Sequence, residues 1–155
     1  MKRAIVVVLL AIAALALPAT AAAAPARTNL FVAHLVGVQE TPPNDSAAQG
    51  QVIMHVNADG SVSYKLIVAN ITNVTMAHIH VAPRGVPGPI KQWLYPEAGP
   101  PPMLRPGRTD GVLAEGMFMP TPALLAAIEN GEAYVNVHTL QHPGGEIRGQ
   151  LRASH

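Results

Sequence analysis

Gln51-Val52-Ile53-Met54-His55-Val56-Asn57, then Ala58-Asp59-Gly60, then Ser61-Val62-Ser63-Tyr64-Lys65-Leu66-Ile67-Val68 reads as two extended runs hinged on a tight turn. In the second run Val62, Tyr64, Leu66 and Val68 alternate with Ser63 and Lys65. A period of two is the mark of a strand with one buried face. Asp-Gly between two such runs is the strongest short-range hairpin signal, because the turn needs residues that tolerate positive φ. The hairpin runs over Gln51–Asn57 and Ser61–Ile71.

The rest of the chain repeats the theme. Asn29–Val38 reads as a first strand, stopped by Glu40-Thr41-Pro42-Pro43-Asn44-Asp45, where paired prolines end a sheet ladder. Met76–Val81 is a strand ended by Pro83-Arg84-Gly85-Val86-Pro87-Gly88-Pro89, and 96–111, with five prolines and three glycines, reads as an irregular surface loop. A strand resumes at Val112–Met119. Thr121-Pro122 supplies an N-cap and a proline at the first helical position, Ala123–Glu129 carries helix formers, and Asn130-Gly131 stops a helix of about two turns. Ala133–Thr139 and Glu146–Arg152 are the last strands, joined at Pro143-Gly144-Gly145. The expected fold is all-β, a Greek-key β-sandwich of about seven or eight strands with one short helix; a flattened barrel is the close alternative.

The N-terminus stands apart. Lys2 and Arg3 precede Ala4–Leu17, which has no polar side chain, and the small residues Ala19–Ala26 follow. This is the pattern of a signal peptide over residues 1–24, cleaved near 24–26, and the apolar run is shorter than the roughly 20 residues a spanning helix needs. Secretion to the periplasm or beyond is therefore expected, with no membrane association after cleavage. About 130 residues remain, enough for one domain with its own core. Removing Lys2 and Arg3 leaves eight Lys and Arg against nine Asp and Glu, a net charge near −1. With no basic stripe and few aromatics, the electrostatic footprint of nucleic-acid binding is missing. The chain has no Cys, which excludes disulfides, thiolate catalysis and Cys-ligated metal.

Parity then sorts the polar residues. On Met76–Val81, Ala77 and Ile79 take the core side, so His78 and His80 share the outer face. On Ala133–Thr139, Val135 and Val137 go in, leaving Tyr134, Asn136 and His138 outside; on Glu146–Leu151, Ile147 and Leu151 go in, leaving Glu146, Arg148 and Gln150 outside. If these strands neighbour one another, His78, His80 and His138 converge, with His142 as a candidate fourth ligand. Neutral imidazoles from a His-x-His strand and a third strand position make a site for copper or zinc. Glu40 is a candidate acceptor for the N–H of a metal-ligating histidine, or a cap for its own loop. Asn136, Glu146 and Arg148 are candidate supporting residues. The blander alternative is a purely structural network, with Glu146 and Arg148 as a cross-strand ion pair. His34, His55 and His155 read as solvated surface. Met54, Met76, Met103, Met117 and Met119 invite a thioether copper site, but packing is the commoner use of Met. No Gly-x-Ser-x-Gly elbow or phosphate loop is present.

The ordered motifs Leu30-Phe31-Val32-Ala33 with Glu40-Thr41-Pro42-Pro43, Ala77-His78-Ile79-His80, Tyr134-Val135-Asn136-Val137-His138-Thr139, and Gly144-Gly145-Glu146-Ile147-Arg148-Gly149-Gln150-Leu151 resemble the CHRD domain. The resemblance spans 29–152, with Thr41 where the family more often has Val, and a long 96–111 loop. It implies an immunoglobulin-like sandwich, an extracellular setting, no established catalytic activity and, at most, an extracellular protein partner. The histidine arrangement is also similar to copper/zinc superoxide dismutases, with His78, His80 and His138 in metal roles and Arg148 in the arginine role. The bridging histidine, the zinc ligand set and the disulfide of that family have no counterpart. Three expectations follow: a secreted non-enzymatic binding or scaffold domain, which is favoured and in which the three histidines are a candidate copper or zinc site beside the structural alternative; a copper metalloenzyme; or an adhesion module that binds no metal.

Overall fold

The computed structural model describes residues 29–154; the expected signal peptide and His155 lie outside the described residues. The elements are β1 (Leu30–Val36), a 3₁₀ turn at Gly37–Gln39, β2 (Gln49–Val56), β3 (Val62–Val81), β4 (Ile90–Tyr95), β5 (Arg105–Phe118), α1 (Pro122–Glu129), β6 (Ala133–Thr139), β7 (Ile147–Gln150) and β8 (Arg152–Ala153). Among the described residues no helix is long and apolar enough to cross a membrane.

The expected hairpin is β2 and β3, in register from Val56↔Val62 to Gln49↔Ala69. Two expected strands prove to be one, however. Ser61–Ile71 and Met76–Val81 fuse into β3, which runs for 20 residues. It bends instead of breaking because Asn70 (φ 57°) and Asn73 (φ 56°) take the left-handed conformation that Asn tolerates, at shifts in the β3–β5 register. Asp110 Oδ1 accepts the Asn70 N–H at 2.7 Å, and Asn73 Oδ1 accepts the Gly107 N–H at 2.9 Å, stitching the bend to β5.

The bend lets β3 serve two neighbours. Its first half pairs β2 and its second half pairs β6; β6 pairs β7, β7 pairs β1, and β1 pairs β2. The circuit closes a five-strand barrel-like sheet, the form anticipated as the alternative to a sandwich, and β4 and β5 extend it from the other side of β3. Neither β4 nor the first half of β5 is legible in the sequence. Ile90–Tyr95 lies between proline clusters with no apolar alternation to mark it, and Arg105–Gly111 falls inside the segment read as a loop.

Inside the barrel, Phe31 and Leu35 from β1, Val52 and Met54 from β2, Leu66 and Ile79 from β3, and Val135, Val137 and Ile147 from β6 and β7 form one buried cluster. Each such side chain contributes about 1.5–3 kcal/mol by leaving water. The helix forms as its sequence directs: Thr121 Oγ1 accepts the Leu124 N–H at 3.2 Å, Pro122 opens the first turn, and Leu124, Ala127 and Ile128 seal one end of the core.

Candidate metal centre

All seven residues of β6 are buried, on both faces of the strand. Ala133, Val135 and Val137 face the barrel core. Tyr134, Asn136 and His138 point the other way, as parity requires, but that side is not the open surface expected from the sequence. Loops roof it. Gly88 donates its N–H to Tyr134 Oη at 3.0 Å, Arg148 Nη2 donates to Val86 O at 3.0 Å, and Arg148 Nη1 donates to Thr41 Oγ1 at 3.1 Å. Gln150 Nε2 donates to Ala82 O and Gly131 O. The polar face is therefore a second, hydrophilic interior between the barrel wall and the segments 40–44, 82–89 and 141–145.

Three imidazoles meet in it. His78 pairs with Asn136 across β3 and β6, and His138 pairs with Met76 one step along. His78, His80 and His138 are 0%, 7% and 6% exposed, and one ring nitrogen from each lies within 4.8 Å of the other two.

Their protonation follows from their partners. His80 Nδ1 sits 2.8 Å from Gly88 O, and His138 Nδ1 sits 3.0 Å from Pro143 O. A carbonyl only accepts, so both Nδ1 atoms carry the hydrogen and both Nε2 atoms keep a lone pair. His138 Nε2 then faces His78 Nδ1 at 3.3 Å. That separation suits an N–H···N contact. It also matches the edge of a tetrahedron around an ion with nitrogen ligands at about 2.0–2.1 Å. His78 Nε2, His80 Nε2 and Asn136 Oδ1 are buried without any hydrogen-bond partner. Backbone carbonyls that fix Nδ1–H and leave Nε2 bare are the outer-shell arrangement of ligating histidines.

Burial keeps the set neutral. It pushes His78 down to about 3, helped by the neighbouring His138 and His80. His80 and His138 are also lowered, chiefly by burial, against the opposing pull of the Gly88 and Pro143 carbonyls. Neutral imidazoles are the form that binds metal.

Aromatic rings brace the site. Trp93 meets His78 edge-on at 4.3 Å between centroids, and Tyr134 stacks on His80 at 4.9 Å and 6°. The Arg148 guanidinium lies 3.5 Å from the Tyr134 centroid. Trp93 carries no signal in the sequence, since nothing in Ile90–Tyr95 marks a strand; Tyr134 lies on the face that parity assigns it, and its stacking partner comes from β3.

The supporting residues divide. Glu146 and Arg148 do not form the expected ion pair: Glu146 accepts the Ser46 and Thr139 hydroxyls, both at 2.6 Å, and the ion pairs among the described residues are Lys65–Glu115 and Arg108–Asp110. Hydroxyl donors beside a buried carboxylate win over a guanidinium already committed to two loops and a ring. Glu40 is buried, with its carboxyl against Gly145, where an added Cβ would lie 2.5 Å from Oε1. Burial lifts it to about 7, opposed by the Thr41 N–H and by Arg148, which supports the loop-capping reading. His142 stands outside the three-histidine group, half-buried in a cleft of about 280 Å³ that Glu40, Pro42, Pro43 and Pro143 also line. His34 and His55 are exposed, and His55 is held between Asn29 and Asn57. The methionines are scattered: Met54 lies in the core, while Met103, Met117 and Met119 are exposed.

Residues 31–151 match the model of the CHRD domain. The chain belongs to the CHRD family. Within this CHRD domain Glu40-Thr41-Pro42-Pro43 and Pro143-Gly144-Gly145 roof the hydrophilic interior, while His78-Ile79-His80 and Tyr134–His138 floor it. No curated protein and no solved structure matches the chain.

Proposed function

We propose that this CHRD domain is a secreted, non-enzymatic binding or scaffold module that holds copper or zinc at His78, His80 and His138. One observation carries the reading. Two backbone carbonyls fix His80 and His138 as Nδ1–H tautomers; His80 Nε2 is buried without a hydrogen-bond partner, His138 Nε2 meets only the imidazole of His78, and one ring nitrogen from each of the three rings lies within 4.8 Å of the other two. A bound cation answers that need in one step. The N-terminal segment and the family support an extracytoplasmic home. Enclosure of all three rings favours holding a metal over turning over substrate on it. The test is calorimetric titration and metal analysis of residues 27–155 beside a His78→Ala, His138→Ala variant. One equivalent bound by wild type and none by the variant supports the site; no binding by either makes the histidines structural and moves the search to a protein partner.

A further inference from the structure

Resting on that reading, we infer that the three-histidine site is built for monovalent copper, Cu(I), rather than for a divalent ion. The argument is one of charge. Among the described residues no carboxylate joins the group of His78, His80 and His138, and imidazole ligands bring no charge of their own. The carbonyls of Gly88 and Pro143 orient the rings, where a carboxylate in the same position would lend negative charge through them. Neither of the two buried carboxyls enters the group: Glu146 accepts the Ser46 and Thr139 hydroxyls, and Glu40, whose Oε1 has no hydrogen-bond partner, lies against Gly145 with the Thr41 N–H on its carboxyl.

What does line the histidines is neutral or positive. Trp93 abuts His78, Tyr134 stacks on His80, Asn136 is buried, and Arg148 lies over the Tyr134 ring. The Born cost of taking an ion out of water rises with the square of its charge, so a dication is penalised roughly four times as heavily as a monocation in the same pocket. A divalent ion ordinarily offsets this with an anionic ligand or hydroxide in an open position, and here the donor rings are enclosed. Cu(I) needs neither: three donors satisfy it, and imidazole, which suits copper and zinc alike, leaves the choice between them to charge.

The experiment is anaerobic competition of the mature chain for Cu(I) against bathocuproine disulfonate, set beside Zn²⁺ and Cu²⁺ competition against a chromogenic chelator. Cu(I) is expected to bind at one equivalent and about a hundredfold more tightly than Zn²⁺. The Asn136→Asp variant, which adds a carboxylate beside the rings, is expected to narrow that gap at least about tenfold. Zn²⁺ or Cu²⁺ bound through the same histidines as tightly as Cu(I), or a gap unchanged by Asn136→Asp, overturns the inference while leaving the metal site standing. Binding of none of the three ions overturns both.

Discussion

Trp93 and His78 meet edge to face, their ring centroids 4.3 Å apart and their planes at 85°. Trp93 is the single tryptophan of the chain, so its emission reports on one place only. Titration with Cu²⁺ or Cu(I) is expected to quench most of that emission at one equivalent, and the His78→Ala, His138→Ala variant is expected to lose the saturable phase. Steady-state fluorescence decides it; quenching that grows linearly and survives in the variant would mean collisional contact at the surface.

Acid should loosen the metal-free domain. His78 binds its proton near 3 in the folded chain and near 6.5 when unfolded, and His80 and His138 shift in the same direction. Below pH 6.5 the unfolded chain therefore takes up more protons, and stability falls as pH drops. Each of these histidines contributes up to about 1.4 kcal/mol per pH unit within its window. Glu40 works the other way: with its carboxyl raised from 4.5 to about 7, it contributes stability at low pH that is lost as pH rises from 4.5 through 7. Urea unfolding from pH 8 to 4 is expected to show the histidine loss below 6.5. Glu40→Gln is expected to remove the opposing trend; a profile unchanged by that substitution would sink the Glu40 assignment.

Gly88 holds two threads of the roof, accepting from His80 Nδ1 and donating to Tyr134 Oη. A Cβ there would lie 2.2 Å from Val81 O, which is backbone and has little room to yield. Gly88→Ala is expected to cost about 1–3 kcal/mol and to weaken metal binding by freeing the His80 ring. Gly144→Ala meets nothing within 4 Å and serves as the control. Denaturation midpoints and calorimetry on the two variants test the contrast.

Arg148→Lys keeps the charge but loses the planar fork that reaches Thr41 and Val86 while covering Tyr134. The expected loss is about 2 kcal/mol in urea unfolding, with faster amide exchange at Gly88. Wild-type exchange at Gly88 in this variant would show that the roof does not depend on the guanidinium.

Periodicity made part of this molecule legible. The Asp59-Gly60 hairpin, the helix capped by Thr121, and the shared face of His78, His80 and His138 all follow from local pattern. The fusion of two expected strands into β3 did not, because left-handed Asn70 and Asn73 look like any other asparagine until Asp110 and Gly107 bind them. The burial of the polar face was hidden for a related reason. Alternation tells which side of a strand a residue takes, whereas the roof over that side is built by prolines and glycines from 40–44, 82–89 and 141–145. Glu146 and Arg148 share a face by parity, yet their partners come from Ser46, Thr139 and Thr41, and no spacing rule on β7 could name them.

The bent strand β3 also sets an order of events. His78 and His138 are 60 residues apart in sequence and become neighbours only when β6 docks on the second half of β3. Before that step the chain offers a lone His-x-His pair, a poor competitor for any ion. On the proposed function, a metal would load after folding and would stabilise the folded state by mass action. For a chain that crosses a membrane unfolded, the ion would be taken from the compartment of arrival, so the metal supply of that compartment, rather than that of the cytoplasm, would decide what the site carries.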